Sequence, residues 1–289
     1  MARRKPATTH GVAVVDKPAG VTSHDVVGML RRRFGERQVG HAGTLDPDAT
    51  GVLVIAVGKA TRLLRFVEKT RKGYTGEVVL GSTTSTLDSA GDVLATFDMG
   101  AVTLDEARAV VAAHLVGDIE QVPPMVSAIR VDGKRLHELA REGIEIERQP
   151  RPVSIHQFDI VDWAGTGVLA IDVECSAGTY IRTLADDLGR LLGGGAHLRN
   201  LRRTHVGEFT VDESASPDDC QLLPVASAVR ALVRVTVDDP VAALVAHGRV
   251  LDQWEGVGPW AVFSEADELL AVYESFGDGQ AKPAVVLPI

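Results

Sequence analysis

Asp46 stands in a stretch whose residue types can support covalent chemistry. It runs Gly40-His41-Ala42-Gly43-Thr44-Leu45-Asp46-Pro47-Asp48-Ala49-Thr50-Gly51, and the apolar run Val52 to Val57 follows. A carboxylate acts as nucleophile or base only when it is ionised and held in place. Glycine and proline permit or force backbone angles that regular elements avoid, so the twelve residues read as a loop. Pro47 fixes its own φ and pushes Asp46 towards an extended conformation. An Asp-Pro pair alone is a common turn opener. Here a His, three glycines and a second Asp crowd one short loop, and rigidly held loops often carry function.

Four chemistries compete for this loop. Asp46-Pro47-Asp48-Ala49-Thr50 fits the D-x-D-x-T string of aspartate-dependent phosphohydrolases. Those enzymes place the first Asp at the end of an apolar strand, whereas here the strand comes after it. Gly58-Lys59-Ala60-Thr61 matches only the end of a nucleotide-binding P-loop, and Leu53 occupies the place of its upstream glycine. Asp46 and Asp48 alone are too few for a metal, and the nine histidines show no close pairing. The fourth chemistry is a lone carboxylate in a basic, nucleic-acid-binding cleft. A guanidinium would hold it ionised by lowering its pKa, and Arg182, near a helix start, offers one. His41, Tyr74 and Tyr180 offer aromatic faces for base stacking.

The elements that must position these residues follow from periodicity. Val52 to Val57 reads as a buried strand and Gly11 to Val15 as another. Thr22 with Asp25 forms a capping-box pattern for a helix that ends near Gly35. A further helix is expected after Gly58, with Leu63, Leu64, Phe66 and Val67 on its apolar side. Tyr74 to Leu80 reads as a strand and Ser82 to Asp92 as a loop. Thr103 with Glu106 opens a helix to about Leu115. Ser154 to Trp163 and Val168 to Ser176 read as a strand pair joined at Gly165-Thr166-Gly167. A helix with the stripe Ile181, Leu184, Leu188 and Leu191 ends at Gly193-Gly194-Gly195. Residues 214–224 are the best boundary region, and the tail after Val235 reads as short β-like runs. Strands outnumber helices, so the expected class is α+β with a mixed, mainly antiparallel sheet flanked by helices.

The chain has 289 residues, 45% of them hydrophobic, which suits one large domain with a small one. No apolar run is long enough to span a bilayer, and no apolar signal region follows the basic stretch Met1 to His10. Cys175 and Cys220 sit in no metal or redox spacing and read as buried thiols in a reducing cytosol. The net charge of −9 is unevenly placed. Residues 1–210 hold 26 Lys+Arg and 26 Asp+Glu, whereas residues 211–289 hold 4 and 13. The cations cluster at Arg31 to Arg33, Arg62 to Lys72, Arg130 to Arg135, Arg148 to Arg151 and Arg199 to Arg203. Local clusters, more than the global sum, decide phosphate binding.

Taken together, several stretches resemble the bacterial tRNA pseudouridine-55 synthases. They are Asp16-Lys17-Pro18-Ala19-Gly20-Val21-Thr22-Ser23, Gly40 to Thr61, Lys72-Gly73-Tyr74, Gln121 to Ala128 and on to Ile144, Gly178 to Leu184, Gly193 to Leu198, and Leu201-Arg202-Arg203-Thr204. They cover roughly the first 210 residues in family order. Val126 and Arg130 depart from the Tyr and Lys frequent in relatives.

The resemblance implies the pseudouridine synthase fold. It implies a catalytic domain over residues 1–232 with an RNA-clamping insertion at about 124–152, and a small, acidic, β-rich, PUA-like C-terminal domain over 233–289. It implies isomerisation of uridine to pseudouridine at position 55 in the T-loop of tRNA, with no cofactor or metal. Asp46 would be the catalytic aspartate, paired with Arg182. Tyr74 would stack on the target uracil and handle the C5 proton, and Tyr180 and Leu201 would line the pocket. His41 would fill space vacated by flipped bases, and Lys17 with Pro18 would buttress the loop. The implied partner is the tRNA T-arm stem-loop, with no obligate protein partner; a monomer is the default expectation, and the cysteine usage places it in the cytoplasm. The alternatives are a tRNA-binding or refolding protein, or a guide-RNA-dependent relative. The acidic tail is expected to be dispensable for the chemistry.

Overall fold

The structure, a computed structural model, describes residues 7–127, 129–131 and 133–287. Met1 to Pro6 of the basic N-terminus, Ala128, Asp132, Pro288 and Ile289 lie outside the description, as do the side chains of Arg130, Val131, Arg135, His137 and Arg141. In chain order the elements are β1 (Gly11–Lys17), α1 (Ser23–Phe34), β2 (Val39–Ala42), β3 (Thr50–Val57), α2 (Leu64–Glu68), β4 (Lys72–Leu80), β5 (Ser82–Thr84), β6 (Val93–Thr96), α3 (Leu104–His114) and β7 (Gly117–Gln121). Then come β8 (Arg130–Val131), β9 (Lys134–Arg135), α4 (Leu136–Arg141), β10 (Arg151–Gly165), β11 (Val168–Cys175), α5 (Ile181–Leu191), β12 (Ala196–Val206) and β13 (Phe209–Thr210). The chain ends with β14 (Val233–Val237), α6 (Asp239–Ala246), β15 (Leu251–Asp252), β16 (Trp260–Ser264), β17 (Leu269–Ser275) and β18 (Gln280–Val286). The fold is α+β with mixed sheets, as expected.

The chain forms two compact units. The first comprises the described residues of Met1–Pro47, Val52–Lys69 and Val206–Ile289. β3 explains its own sequence. Successive side chains of a strand point to opposite faces, and both faces of β3 are covered, so the run is apolar throughout. Leu53, Ile55 and Val57 pack with Val26, Val27 and Leu30 of α1. Val52, Val54 and Ala56 pack in another cluster with Phe66, Val67, Phe209 and Val229. α1 begins where the capping box places it: the Thr22 side chain accepts from Asp25 N while the Asp25 carboxylate accepts from Thr22 N.

The C-terminal five-stranded sheet, in the order β14-β16-β17-β18-β15, belongs to this first unit. On one side Trp260, Val262, Ala271 and Tyr273 pack with Val245 of α6. On the other side Ala261, Phe263, Val272, Val285 and Leu287 join the cluster that holds Val52, Val54 and Ala56. The tail therefore supplies part of the core behind β3.

The second unit comprises Asp48–Gly51 and the described residues of Thr70–His205. Its strands run in the order β12-β4-β11-β10-β7. β11 is antiparallel to both β4 and β10, and β10 to β7. Thr50 and Gly51, the first residues of β3, pair in parallel with Arg202 and Arg203. The insertion carries the β8–β9 hairpin and α4.

Some elements differ from expectation. Val39–Ala42 is a strand, antiparallel to β3 with His41 opposite Ile55, so His41 lies on a strand rather than in the loop. Gly40 sits close to Leu64 there: a Cβ would meet Leu64 Cδ1 at 2.9 Å, so that side chain would have to shift. The helix after Gly58 opens with a 3-10 turn over Gly58–Leu63. Thr61 Oγ1 donates to the Gly58 carbonyl at 2.8 Å, and such local bonds compete with the α-helical pattern. β5, at the start of the expected loop Ser82 to Asp92, pairs with β6 just beyond its end. α6 interrupts the tail, capped by Asp238, whose side chain accepts from Val241 N.

Candidate functional site

Within the first unit, Asp46 is half-buried between two anchored neighbours. On one side the Ser23 hydroxyl donates to Leu45 O at 3.1 Å and accepts from Leu45 N at 2.9 Å. On the other, Pro47 O accepts from Lys17 Nζ at 2.8 Å and from Gly20 N at 3.0 Å. Lys17 is fully buried. Its ammonium also donates to Pro18 O at 2.9 Å and Val21 O at 2.6 Å. An ammonium has three donors, and buried charge is tolerated only when such donors are satisfied. The Asp16–Ser23 stretch thus acts on the loop by hydrogen bonding from buried side chains.

The far end of the loop is fixed within the second unit. Gly51 has φ +99, and a Cβ there would fall 2.2 Å from Arg203 O. Only glycine meets both demands. Arg203 is fully buried, and Arg202 Nη1 reaches Thr50 Oγ1 at 3.4 Å.

The second unit also positions the remaining expected residues. Tyr74 is buried on β4 opposite Val173. Gly76 lies two residues along the same face, and a Cβ there would meet Leu201 Cδ1 at 3.6 Å. Leu201 of β12 therefore shares the face that carries the Tyr74 ring. Tyr180 precedes α5, and Arg182 follows in its first turn. Arg182 is 4% exposed and donates to Thr86 O and Val126 O, both at 2.8 Å. Its Nε lies 3.6 Å from Asp88 Oδ2. Carbonyls and a carboxylate together compensate a buried guanidinium.

Asp88 is itself held in place. Leu198 N donates to Leu87 O and Ser89 N donates to Leu198 O, both at 3.0 Å. Leu87 adopts φ +62, a conformation that costs a bulky residue on the order of 1–3 kcal/mol. The two bonds to Leu198 hold that strained loop beside Arg182.

Sequence reasoning missed Ser23, Asp88 and Gln121. Ser23 closes the Asp16 to Ser23 stretch of the resemblance and follows a helix cap, but neither context gives it a role at the loop. Asp88 lay in a Ser/Thr/Gly-rich stretch read as an ordinary loop. Gln121 opens the Gln121 to Ala128 stretch of the resemblance, but its sequence context gives it no role of its own. Cys175 and Cys220 are buried and unpaired with each other. Burial pushes the Cys175 thiol up to about 11.

The comparisons with known proteins agree with the motifs. The model of the TruB family pseudouridylate synthase N-terminal domain matches residues 31–181. That of the tRNA pseudouridylate synthase B C-terminal domain matches residues 182–223. The chain is 45% identical to tRNA pseudouridine synthase B of Arthrobacter sp., covering 96% of each chain. It is 45% identical to the protein of that name in Streptomyces coelicolor, covering 98% of each. Among solved structures it is similar to a chain of a Cbf5-Nop10-Gar1 complex. The TM-score is 0.73 at 26% identity, over 96% of this chain and 85% of that one.

Proposed function

The chain belongs to the TruB family of pseudouridylate synthases and isomerises uridine to pseudouridine in tRNA; from that premise we propose that its target is uridine 55 of the T-loop and that Asp46 is the catalytic carboxylate. The observation that carries the assignment is the double anchoring of the loop, by Ser23 at Leu45 and by Lys17 at Pro47. A group that reacts covalently gains most from being held near its attack geometry before substrate arrives.

In the reaction the bond between N1 of uracil and C1′ breaks, the base turns, and C5 bonds to C1′. C5 loses a proton and N1 gains one, so the product is an isomer of the substrate. Asp46 adding at C1′, adding at C6 or removing a sugar proton would each require the ionised carboxylate. Tyr74 stacks on the uracil, and its hydroxyl handles the C5 proton. Tyr180 and Leu201 line the pocket, and Arg182 contributes its guanidinium. His41 occupies space left by flipped bases, a displacement that enzymes acting on nucleobases commonly require. Lys17 holds the loop. The protein acts in the cytoplasm as a monomer on the T-arm stem-loop, without an obligate protein partner. Residues 1–232 form the catalytic domain, and the insertion at about 124–152 clamps the RNA.

The test is incubation with unmodified tRNA followed by pseudouridine mapping at single-nucleotide resolution. Modification confined to position 55 is expected. Modification at other sites, with 55 untouched, would reject the proposed target.

A further inference from the structure

Gln121 ends β7 where the chain leaves the sheet for the insertion. It is 2% exposed, and its backbone is set by antiparallel pairing with Arg151 of β10. Its carboxamide engages both polar backbone atoms of Tyr180. Tyr180 N donates to Gln121 Oε1 at 2.7 Å, and Gln121 Nε2 donates to Tyr180 O at 3.1 Å. One side chain thus supplies the pair of bonds that a neighbouring strand would supply.

Tyr180 is the N-cap of α5, with φ −104 and ψ 107, and no side-chain bond of its own caps the helix. Helix entries leave N–H groups without intrahelical partners and are fixed from outside. Here the Tyr180 carbonyl that Gln121 engages also accepts from Thr183 N at 3.1 Å and Leu184 N at 3.2 Å. With both backbone atoms held, only the side-chain torsions of Tyr180 remain to place its ring.

The geometry points to Gln121 as a positioning residue for the isomerisation, holding the Tyr180 backbone so that its ring meets the substrate base. This rests on the reading of Tyr180 as a pocket residue. The same two bonds tie the root of the RNA-clamping insertion to the first turn of α5, where Arg182 stands.

Gln121→Met keeps the length of the side chain and removes both bonds. Its single-turnover rate on a T-arm stem-loop, at saturating enzyme, is expected to fall about tenfold or more, since displacing a positioned group by ~1 Å can cost on the order of a hundredfold. The dissociation constant for the stem-loop should stay within about twofold, as for an interaction that acts on the chemical step. Gln121→Glu, ionised at alkaline pH, keeps the acceptor for Tyr180 N but sets a carboxylate oxygen against the Tyr180 carbonyl in place of the donor, and its rate should fall as well. Adding Gln121→Met to Tyr180→Leu should slow the reaction less than about twofold further, because residues acting through one contact are not additive.

A Gln121 that serves stability alone would lower the melting temperature while losses in the double variant multiply. Multiplying losses, or a wild-type rate in Gln121→Met, would overturn the inference. If Gln121→Met does not fold, Gln121→Glu and its double variant carry the same comparison. Wild-type protein that makes no pseudouridine, or Tyr180→Leu at full speed, would overturn the underlying functional reading and this inference with it. A silent Gln121→Met beside an impaired Tyr180→Leu overturns this inference alone.

Discussion

At the scale of the residue, the Asp46 loop separates chemistry from support. Asp46→Asn keeps the size of the side chain and removes the nucleophilic carboxylate. Near-total loss of isomerisation is expected, with tRNA affinity changed by less than about tenfold, or ~1.4 kcal/mol. Purified Asp46→Asn turning over at a rate near wild type would dismiss the assignment. Ser23 is the complementary case, since its hydroxyl bonds both backbone polar atoms of Leu45, the residue before Asp46. Ser23→Ala leaves a buried N–H and C=O without that partner, and is expected to lower stability by about 1–3 kcal/mol. It should slow single turnover while leaving stem-loop binding intact. Denaturant unfolding and single-turnover kinetics on one preparation check both halves, and an unchanged rate beside lowered stability would mean that Asp46 is held by other contacts. Asp46 was legible in the sequence because Gly, Pro and His crowd around it. Ser23 was not, because a buried hydroxyl that bridges 22 positions along the chain leaves no local pattern.

At the scale of the element, α5 shows how burial shapes titration. Burial first, and the adjacent Asp186 carboxylate second, raise the Asp187 carboxyl from its ordinary 3.8 to about 6. Burial also raises Asp186, against the pull of Arg190, which bonds it at 2.8 Å. For Asp187 the folded chain binds more protons than the unfolded chain between about pH 4 and 6. Stability therefore falls as pH rises through that window, and the cost of ionisation is fully present above it. Asp187→Asn is expected to raise the melting temperature at neutral pH, with the gain shrinking towards pH 4. A melting-temperature difference that is flat across this range would contradict the burial account. Elements whose cause is local were readable from sequence: the Thr22–Asp25 and Thr103–Glu106 starts and the glycine-bounded β10–β11 hairpin. β2 was not, because four residues with two small side chains become a strand only by pairing with β3. α6 was missed because Val- and Ala-rich sequence fits either state, and its cap and its packing on β16 and β17 decide.

At the scale of the whole molecule, the acidic tail is where charge and packing give different answers. Charge alone favours independence, since residues 233–289 carry 3 cations and 9 acids and gain little attraction to phosphates. Packing favours integration, for Phe263, Val272, Val285 and Leu287 share a cluster with Val52, Val54 and Ala56 of β3. Polar contacts run the same way: Arg62 Nη1 donates to Val286 O at 2.5 Å, and Arg65 Nη2 meets Glu274 Oε1 at 2.9 Å. The Arg65 pair is exposed and contributes at most about 1 kcal/mol. Each large apolar side chain removed from the cluster forfeits roughly 1.5–3 kcal/mol. Losing four at once approaches the whole stability of an ordinary domain, about 5–15 kcal/mol. Truncation before Val233 is therefore expected to leave β3 and the segment after it poorly folded, and to abolish modification of the T-arm stem-loop through loss of structure. Phe263→Ala is the graded form of the same test, with an expected cost of about 3–5 kcal/mol. At low temperature, where this variant remains folded, its single-turnover rate on the stem-loop should match the wild-type rate, because no residue assigned to the chemistry has changed. Circular dichroism melts and kinetics on both variants decide between the two answers. A truncated protein that melts like the full chain and modifies the stem-loop at full speed would show that the tail is an independent module and that the shared cluster contributes little to holding β3.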